Sequence, residues 1–577
     1  MSHGEVAAVL GVTVTAPFVF ALLFLAAGGV PRIRKFLAVA CSLSVAGLSL
    51  ALLSGFLTVS GEPGWGSLVL TRFGFPPFLI LNLVGAAVVL YAGFKKTNAS
   101  RPALLMASIP AGLGLAGLAL LASGLLSVVL LWEGVTAVAV LGLLSQGGGG
   151  VRRRLRKVVP WLAGDLLFVA GAVLSAVWLD EARVFIEAPL TSGSEAQVIV
   201  VMVLFLTGAM IRLGVFPFHS WVADILGYAD PAWSAFFMGA ANYLLAGARL
   251  LVAAVLLARL VAGDWSAALV AIGLASALAG AVVVNRRTVQ GYLSGMYTMQ
   301  AGFLVVGAGL FSRIGLEGAL FCFLVTPLFL SPAIMAAGSL LEMRGTGSLG
   351  RQRLSARRAP AAFTVLLLSG MSLAGLPPVA GFVGKAIVAL GNMDKAAVSP
   401  FYALAAAVAL AAVALAAVAT VRMLGGTFAG EGDAGTVGKP AFMESVAPLA
   451  LCGGSLLVGL FPGILMRNFT DPGSLWLFPS GFSGPGVVFK GAGAAVEGAV
   501  QYYLSWSAVP AAFALLVAAL ALAVYFASRA AHPSRGTPAR LGPFLGGATG
   551  EYRPSMEPGI RLARPQGKRG RGETDER

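Results

Sequence analysis

The chain has 577 residues, of which 58% are hydrophobic and only 11% charged, with a mean hydropathy of +0.88. A water-soluble domain carries about a quarter of its residues as charges, so this chain excludes that class and takes lipid as its solvent. The net charge of +16 would point a soluble protein toward nucleic acid; on a membrane chain it points to basic loops gathered on one side of the bilayer, and no nucleic-acid role is expected.

Apolar runs long enough to cross a bilayer recur from the N-terminus onward. They are continuous Leu/Val/Ala rather than the alternating segments of a membrane β-barrel, so the expected class is an all-α polytopic membrane protein. Fifteen spans are predicted, near 5–27, 36–58, 77–94, 103–121, 124–145, 158–179, 197–216, 232–257, 264–284, 292–311, 315–338, 360–390, 402–424, 444–466 and 507–528. The first run has no basic leader and reads as a retained helix. The Gly/Pro-rich stretch 59–76 reads as a loop with a short hairpin, and 467–506 as a long loop. The basic tail from 529 onward reads as disordered, or as lying on a partner or the inner leaflet.

Basic clusters alternate between loops. Arg32/Arg34/Lys35, Lys95/Lys96/Arg101, Arg152/Arg153/Arg154/Arg156/Lys157, Arg286/Arg287 and Arg344/Arg351/Arg353/Arg357/Arg358 share one parity. The opposite loops carry single basics (Arg72, Arg183, Arg313, Lys395, Lys490) and the acidic group Asp180/Glu181/Glu187. The expectation is an N-terminus outside and a cytoplasmic C-terminus in the cell's inner membrane.

Two spans are interrupted. The first reads GAMIRLGVFPFHSWVADILGYADP and the second LLLSGMSLAGLPPVAGFVGKAIVAL. Proline removes a backbone donor, and an open helix survives in hydrocarbon only inside protein or beside hydrated space. Paired interruptions point to inverted repeats around an ion path. The predicted organisation is N-terminal helices in 1–121, a first five-helix repeat in 103–257, an inverted second repeat in 264–424, C-terminal helices in 444–528 and a basic tail, 529–577.

Ionisable residues inside spans are candidate stations, since each costs about 3 kcal/mol at mid-span unless paired or hydrated. They are Glu133, Asp165, Arg212, Arg249 and Lys385. Arg212 cannot release a proton but sets the charge environment of Glu133, with which it is expected to form an input pair. Structural ion pairs or snorkelling explain Asp165 and Arg249 equally well. His219, in FPFHSW, reads equally as a proton relay or as an interfacial cap. The three cysteines lie singly in apolar runs and only three histidines exist, so no metal, haem, iron–sulfur centre or other cofactor is expected.

Four segments together resemble the antiporter-like subunits of respiratory complex I, membrane-bound hydrogenases and multi-subunit cation/proton antiporters. They are LLWEGVTAVAVLGLLS, FPFHSWVADILGYADPAWSAFF, NRRTVQGYLSGMYTMQAGFLVVGAG and SLAGLPPVAGFVGK. The resemblance runs from about 125 to 425. It implies proton or sodium translocation along a mid-membrane row of charged residues, driven by a redox partner and without a redox centre in this chain. Glu133 then matches the family's membrane glutamate, Arg212 stands where the first break carries lysine, and Lys385 matches the terminal lysine. The family's central lysine falls near Ala241 or Asn242, and its span-eleven histidine and lysine near Thr326 and Leu330. Thr326, Asn242, Tyr243, Tyr292 and Ser331 are left as water-holding residues. The implied partners are other membrane subunits and a peripheral redox or other cytoplasmic arm. The alternatives are a subunit of a cation/proton antiporter or inorganic-carbon uptake complex, and a scaffold that has lost transport.

Overall fold

Helix starts along the chain carry the residues that suit them. Ser2 caps α1 (His3–Ala27) in a reciprocal box with Glu5, and Ser194 caps α7 (Glu195–Arg212) likewise with Gln197. Proline sits in the first turn of α2 (Pro31–Thr58), α3 (Phe75–Phe94) and α4 (Pro102–Leu121), where its missing N–H costs nothing. The remaining helices of the first half are α5 (Leu125–Leu144), α6 (Val151–Trp178), α8 (Ser220–Tyr228), α9 (Pro231–Phe236) and α10 (Tyr243–Leu260), with a π-helical turn, Phe237–Asn242, joining the last two.

The second half runs α11 (Ser266–Val283), α12 (Val289–Gly309), α13 (Arg313–Arg344), α14 (Pro360–Ala374), α15 (Ala380–Lys395), α16 (Pro400–Phe428) and α17 (Phe442–Leu460). Then come α18 (Pro462–Leu465), a π-turn (Met466–Thr470) and α19 (Asp471–Leu477). This computed structural model describes residues 1–477 except 60, 66, 98, 147–150, 180–193, 261–264, 285–287, 345–348, 350–354 and 430–441; beyond 477 it describes only the strands Val487–Lys490, Gly493–Val496 and Tyr503–Ser505. The expected span at 507–528, the tail from 529 and the acidic group at 180–187 lie outside the described residues.

Twelve helices among the described residues are long and apolar enough to cross a membrane. The chain is a multi-pass, predominantly helical membrane protein. The expected span at 292–311 is present as the helix α12, and the span at 360–390 is two short helices, α14 and α15, each below spanning length. The loop at 59–76 carries the expected hairpin, with β1 (Gly64–Trp65) antiparallel to β2 (Leu68–Val69).

The molecule has two polar ends. At one, Lys95 pairs with Glu342, Ser339 donates to Glu444, and the Asp230 amide donates to Gln146. At the other, Arg313 pairs with Asp471, and Lys395 and Tyr402 both donate to Ser266. Between the ends lies a core of α10, α12 and α13, ringed by helices that leave more than half of their residues uncovered: α1, α2, α5, α6, α16 and α17. Their exposed leucines and valines are what lipid or a membrane partner covers. Where α11 meets α12, a Cβ on Gly280 would stand 2.6 Å from the Gly295 carbonyl oxygen, so only glycine admits so close a crossing.

Candidate functional site

The two interrupted helices end the same way. In the first, Met210 O accepts from the Val215 amide and Gly214 takes φ +61°. In the second, Met371 O accepts from the Leu376 amide and Gly375 takes φ +89°. Both are glycine-terminated helix ends in the left-handed conformation, which an L side chain resists. In each, the X-Pro bond two residues past that glycine, Phe216–Pro217 or Pro377–Pro378, is cis. Each break turns two carbonyls at equivalent positions toward side chains, 211 and 212 in one and 372 and 373 in the other; those of Ile211 and Ser372 also accept from the amides of Gly214 and Gly375. Every one of the four is satisfied by a side chain from elsewhere. Trp221 Nε1 donates to Ile211 O at 3.1 Å and Asn242 Nδ2 to Arg212 O at 2.7 Å. Lys385 Nζ donates to Ser372 O at 3.4 Å and Leu373 O at 3.1 Å, and Gln300 Nε2 to Leu373 O at 2.7 Å.

At the first break the charge is paired. Arg212 Nε lies 3.3 Å from Asp165 Oδ1, and both side chains are almost wholly buried. The guanidinium sits over Trp132 (5.0 Å to the ring centroid) and Trp161 (4.6 Å). Trp132 Nε1 donates to Asp165 at 2.5 Å, Thr136 Oγ1 at 3.1 Å, and Arg212 Nη2 donates to Thr136 at 3.0 Å. Two residues one turn apart on α5, Trp132 and Thr136, thus close around an ion pair carried by α6 and α7.

This corrects the expected input pair. Arg212 bonds Asp165, not Glu133, because α6 packs directly on α7 and puts Asp165 within reach. Glu133 lies close enough to feel both charges. Its own side chain is half-buried beside the uncovered stripe Leu126, Leu130, Ala137 and Leu141 of α5, and its Oε1 is buried without a hydrogen-bond partner among the described residues.

At the second break the charge is unpaired. Lys385, on α15, has no acidic partner among the described residues. Its ammonium finds neutral oxygens: Gln300 Oε1 at 2.9 Å and the carbonyls of Ser372 and Leu373. Three donors meet three acceptors. The Phe303 ring lies 5.4 Å away. A Cβ on Gly375 would stand 2.7 Å from Lys385 Cδ, so the break glycine also makes room for the lysine.

Between these ends runs a buried row of neutral groups. Asn242 Nδ2 donates to Arg212 O and, at 2.9 Å, to the Tyr297 hydroxyl. The Tyr297 ring meets Tyr243 edge-on at 6.0 Å. Tyr243 donates to Gln300 O at 3.4 Å and hydrogen-bonds Thr326, while the Gln300 amide bonds Lys385. Asn242 and Thr326, both expected as water-holding residues, lie along this row. Tyr297 and Gln300 were not foreseen, because an uncharged residue in a span gives no signal; the only hint was a Tyr-Thr-Met-Gln run in a helix otherwise rich in glycine and aliphatics.

Other expected residues fall outside the row. His219 occupies the turn just before α8, beside the exposed Phe216 and Phe218. Arg249 donates to Ala119 O at 2.9 Å, a packing contact between α10 and α4. Tyr292 bonds Thr420 of α16.

Against known proteins, a family model described as "NADH:quinone oxidoreductase/Mrp antiporter, TM" matches residues 162–413. That stretch holds both breaks and all of the row. Over that stretch the chain is similar to antiporter-like membrane subunits. The antiporter-like chain is 27% identical over 425 residues to NAD(P)H-quinone oxidoreductase chain 4 1 of a Synechococcus strain, covering 70% of this chain and 78% of that protein. It spans about half the length of other curated relatives it matches. Its fold matches a chain of respiratory complex I from Thermus thermophilus (TM-score 0.68, 24% identity, 81% of this chain and 98% of the other). It also matches a chain of the Mrp complex from Dietzia sp. DQ12-45-1b (TM-score 0.71, 21% identity, 83% of this chain and 52% of the other). At those identities the two structures speak to the fold alone.

Proposed function

We propose that this antiporter-like chain is a proton- or sodium-translocating membrane subunit of a redox-driven complex, of the complex I or membrane-bound hydrogenase kind. The observation that carries this reading is the buried row from Asp165/Arg212 through Asn242, Tyr297, Tyr243 and Gln300 to Lys385. Buried polar and charged groups in a membrane are costly and therefore mark functional candidates, and the two ends of this row are a fixed charge and a charge that can be given up. Lys385 is the titrating station. Arg212 with Asp165 is a fixed dipole that biases it, and Glu133 is the group through which a neighbouring subunit couples. Glu133 supports a multi-subunit assembly, since a half-exposed carboxylate on a membrane face needs a protein partner rather than lipid.

In this reading the halves around the two breaks are inverted five-helix repeats, supported by the shared end geometry of Met210–Pro217 and Met371–Pro378. The end bearing Lys95, Glu342 and Glu444 faces the cytoplasm, supported by its excess of basic loops. A second reading, a subunit of a cation/proton antiporter complex, is favoured by the matching family model, whose description names the Mrp antiporter beside the oxidoreductase.

The test is purification from native membranes followed by reconstitution into liposomes holding a pH-sensitive dye. Glu133→Gln is expected to lower coupled proton movement while the complex stays assembled; unchanged movement removes Glu133 from the path. Co-purifying redox subunits support the redox-driven complex. Their absence, with small antiporter subunits in their place, moves the assignment to the second reading.

A further inference from the structure

The row described above needs a connection to water, and its middle, at Asn242, has one polar atom to spare. Asn242 is buried, yet its Oδ1 has no hydrogen-bond partner among the described residues. Two more buried atoms on the same side of the molecule share that condition: Ser234 Oγ in α9 and Gln146 Nε2, whose other amide atom accepts from the Asp230 amide just before α9. Buried polar atoms left over in this way are satisfied by water held in the protein.

Facing this stretch is one side of α13. Ser331, Met335, Ser339 and Glu342 follow one another at helical spacing and share that side. Pro327 and Pro332 withdraw the donors that the carbonyls of Phe323 and Leu328 would have had, which makes α13 more polar along its length than its sequence suggests. Ser331 Oγ donates to Ala235 O at 2.8 Å, next to Ser234. A Cβ on Gly239 would stand 2.4 Å from that same Oγ, so the π-helical turn opens exactly where Ser331 enters, one turn from Asn242. Further along, Tyr91 of α3 donates to Met335 O at 3.0 Å and lies 3.4 Å from Ser339. Ser339 donates to Glu444 at 2.6 Å.

The seam ends in a charged cluster where α3 ends, α9 and α17 begin and α13 closes. Glu444 is 5% exposed and, among the described residues, has no ion-pair partner. Lys95 is spent on Glu342, whose side chain is 40% exposed. Burial lowers the Lys95 pKa, and the nearby charges of Asp230 and Glu444 partly offset that. Glu342 pairs with Lys95 while Asp230 and Glu444 act on its charge from nearby, and the carboxylates run from solvent (Glu342) to the interior (Glu444).

We infer that this seam is the proton entry of the subunit: Glu444 takes a proton from the Glu342 side, and Ser339, Tyr91, Ser331 and held water pass it between α9 and α13 to the row at Asn242. The inference rests on the translocation reading above. Each transfer is a hydrogen-bond shift along hydroxyls and water, and the proton that leaves Glu444 is replaced from the solvent side.

The experiment uses the purified complex in proteoliposomes under an imposed potential, with dye-reported proton flux. Four variants are compared: Glu444→Gln, Glu444→Asp, Ser331→Val and, as a control on the row itself, Lys385→Met. The inference expects Glu444→Gln and Ser331→Val each to lower flux roughly tenfold or more, and Glu444→Asp to restore most of it. Infrared difference spectra should show a protonated-carboxyl band that Glu444→Gln removes. If Lys385→Met stops flux while Glu444→Gln and Ser331→Val leave it unchanged, the entry is elsewhere and the inference fails alone. If Lys385→Met also leaves flux unchanged, the translocation reading fails and takes the entry with it. Should Glu444→Gln not assemble, Ser331→Val decides, because its partner is a backbone carbonyl and no charge is removed.

Discussion

The two breaks are built on one backbone plan and solve opposite electrostatic problems. At the first, the cation belongs to the helix before the break, and the protein supplies a carboxylate, two indole faces and a threonine to hold it. At the second, the position equivalent to Arg212 is Leu373, and the cation comes from the helix after the break, held only by an amide and two carbonyls. Arginine is the better occupant of the first site, because a planar guanidinium stacks and keeps its charge; lysine is the better occupant of the second, because an ammonium without a counter-charge can surrender its proton. One break is built to stay charged and the other to change.

The sharpest way to break this comparison is to remove the carboxylate. Asp165→Asn leaves Arg212 buried without its ion-pair partner, only the more distant Glu133 opposing its charge, and is expected to cost about 3–5 kcal/mol, enough to lose the assembled complex. Size-exclusion profiles and thermal unfolding of the detergent-solubilised complex measure it. Replacing both partners together, Asp165→Leu with Arg212→Met, should recover most of that loss, since the apolar pair leaves no charge stranded. Recovery by the double variant without recovery of flux would show that the pair serves the row and not only the fold.

The second break should respond in reverse order. Lys385→Met removes a charge rather than stranding one, so its cost is that of unsatisfied acceptors, about 1–3 kcal/mol. Proton flux, however, should be lost. Lys385→Arg should not restore it, because the guanidinium keeps its proton and is too large for the space beside Gly375. Flux retained in Lys385→Arg would mean that the site works as a fixed charge, like the first, and the contrast between the breaks would fall.

The breaks themselves were legible in the sequence because Gly214, Pro217, Gly375, Pro377 and Pro378 punctuate apolar runs. So was Lys385, a lone charge beside one of them. The partner of Arg212 was not. Glu133 and Asp165 both lie in neighbouring spans, and spacing along the chain does not say which helix packs on which. Only the contact of α6 with α7 decides for Asp165. The tryptophan cage was hidden for the same reason: Trp132 adjoins Glu133 and Trp161 precedes Asp165 by one helical turn, but each reads as an ordinary interfacial aromatic until the helices are assembled. The interior of the row was least legible. Its chemistry is carried by Tyr297, Tyr243 and Gln300, residues that cost little to bury when bonded and so leave no mark in composition.

A milder substitution tests whether the cage is specific for arginine. Arg212→Lys keeps the charge beside Asp165 but gives up one stacking face and the Thr136 bond, at a cost of about 1 kcal/mol. Assembly should survive. If the first break only biases the row, flux should stay near that of the unaltered chain; a rise in flux would mean that arginine holds the first station closed.

The smallest expected effect on stability, and the most direct question to the row, comes from Tyr297→Phe. The ring and its edge-on contact with Tyr243 remain, and only the hydroxyl that accepts from Asn242 is lost, worth about 1 kcal/mol. The Asn242 amide keeps its bond to Arg212 O, so the first break is undisturbed. A fall in proton flux with unchanged unfolding would then belong to the missing hydroxyl alone, and would place it between the charged end that stays and the one that changes. Unchanged flux would mean that the contacts running from Asn242 through Tyr297 and Tyr243 to Gln300 hold the two halves together without carrying ions between them.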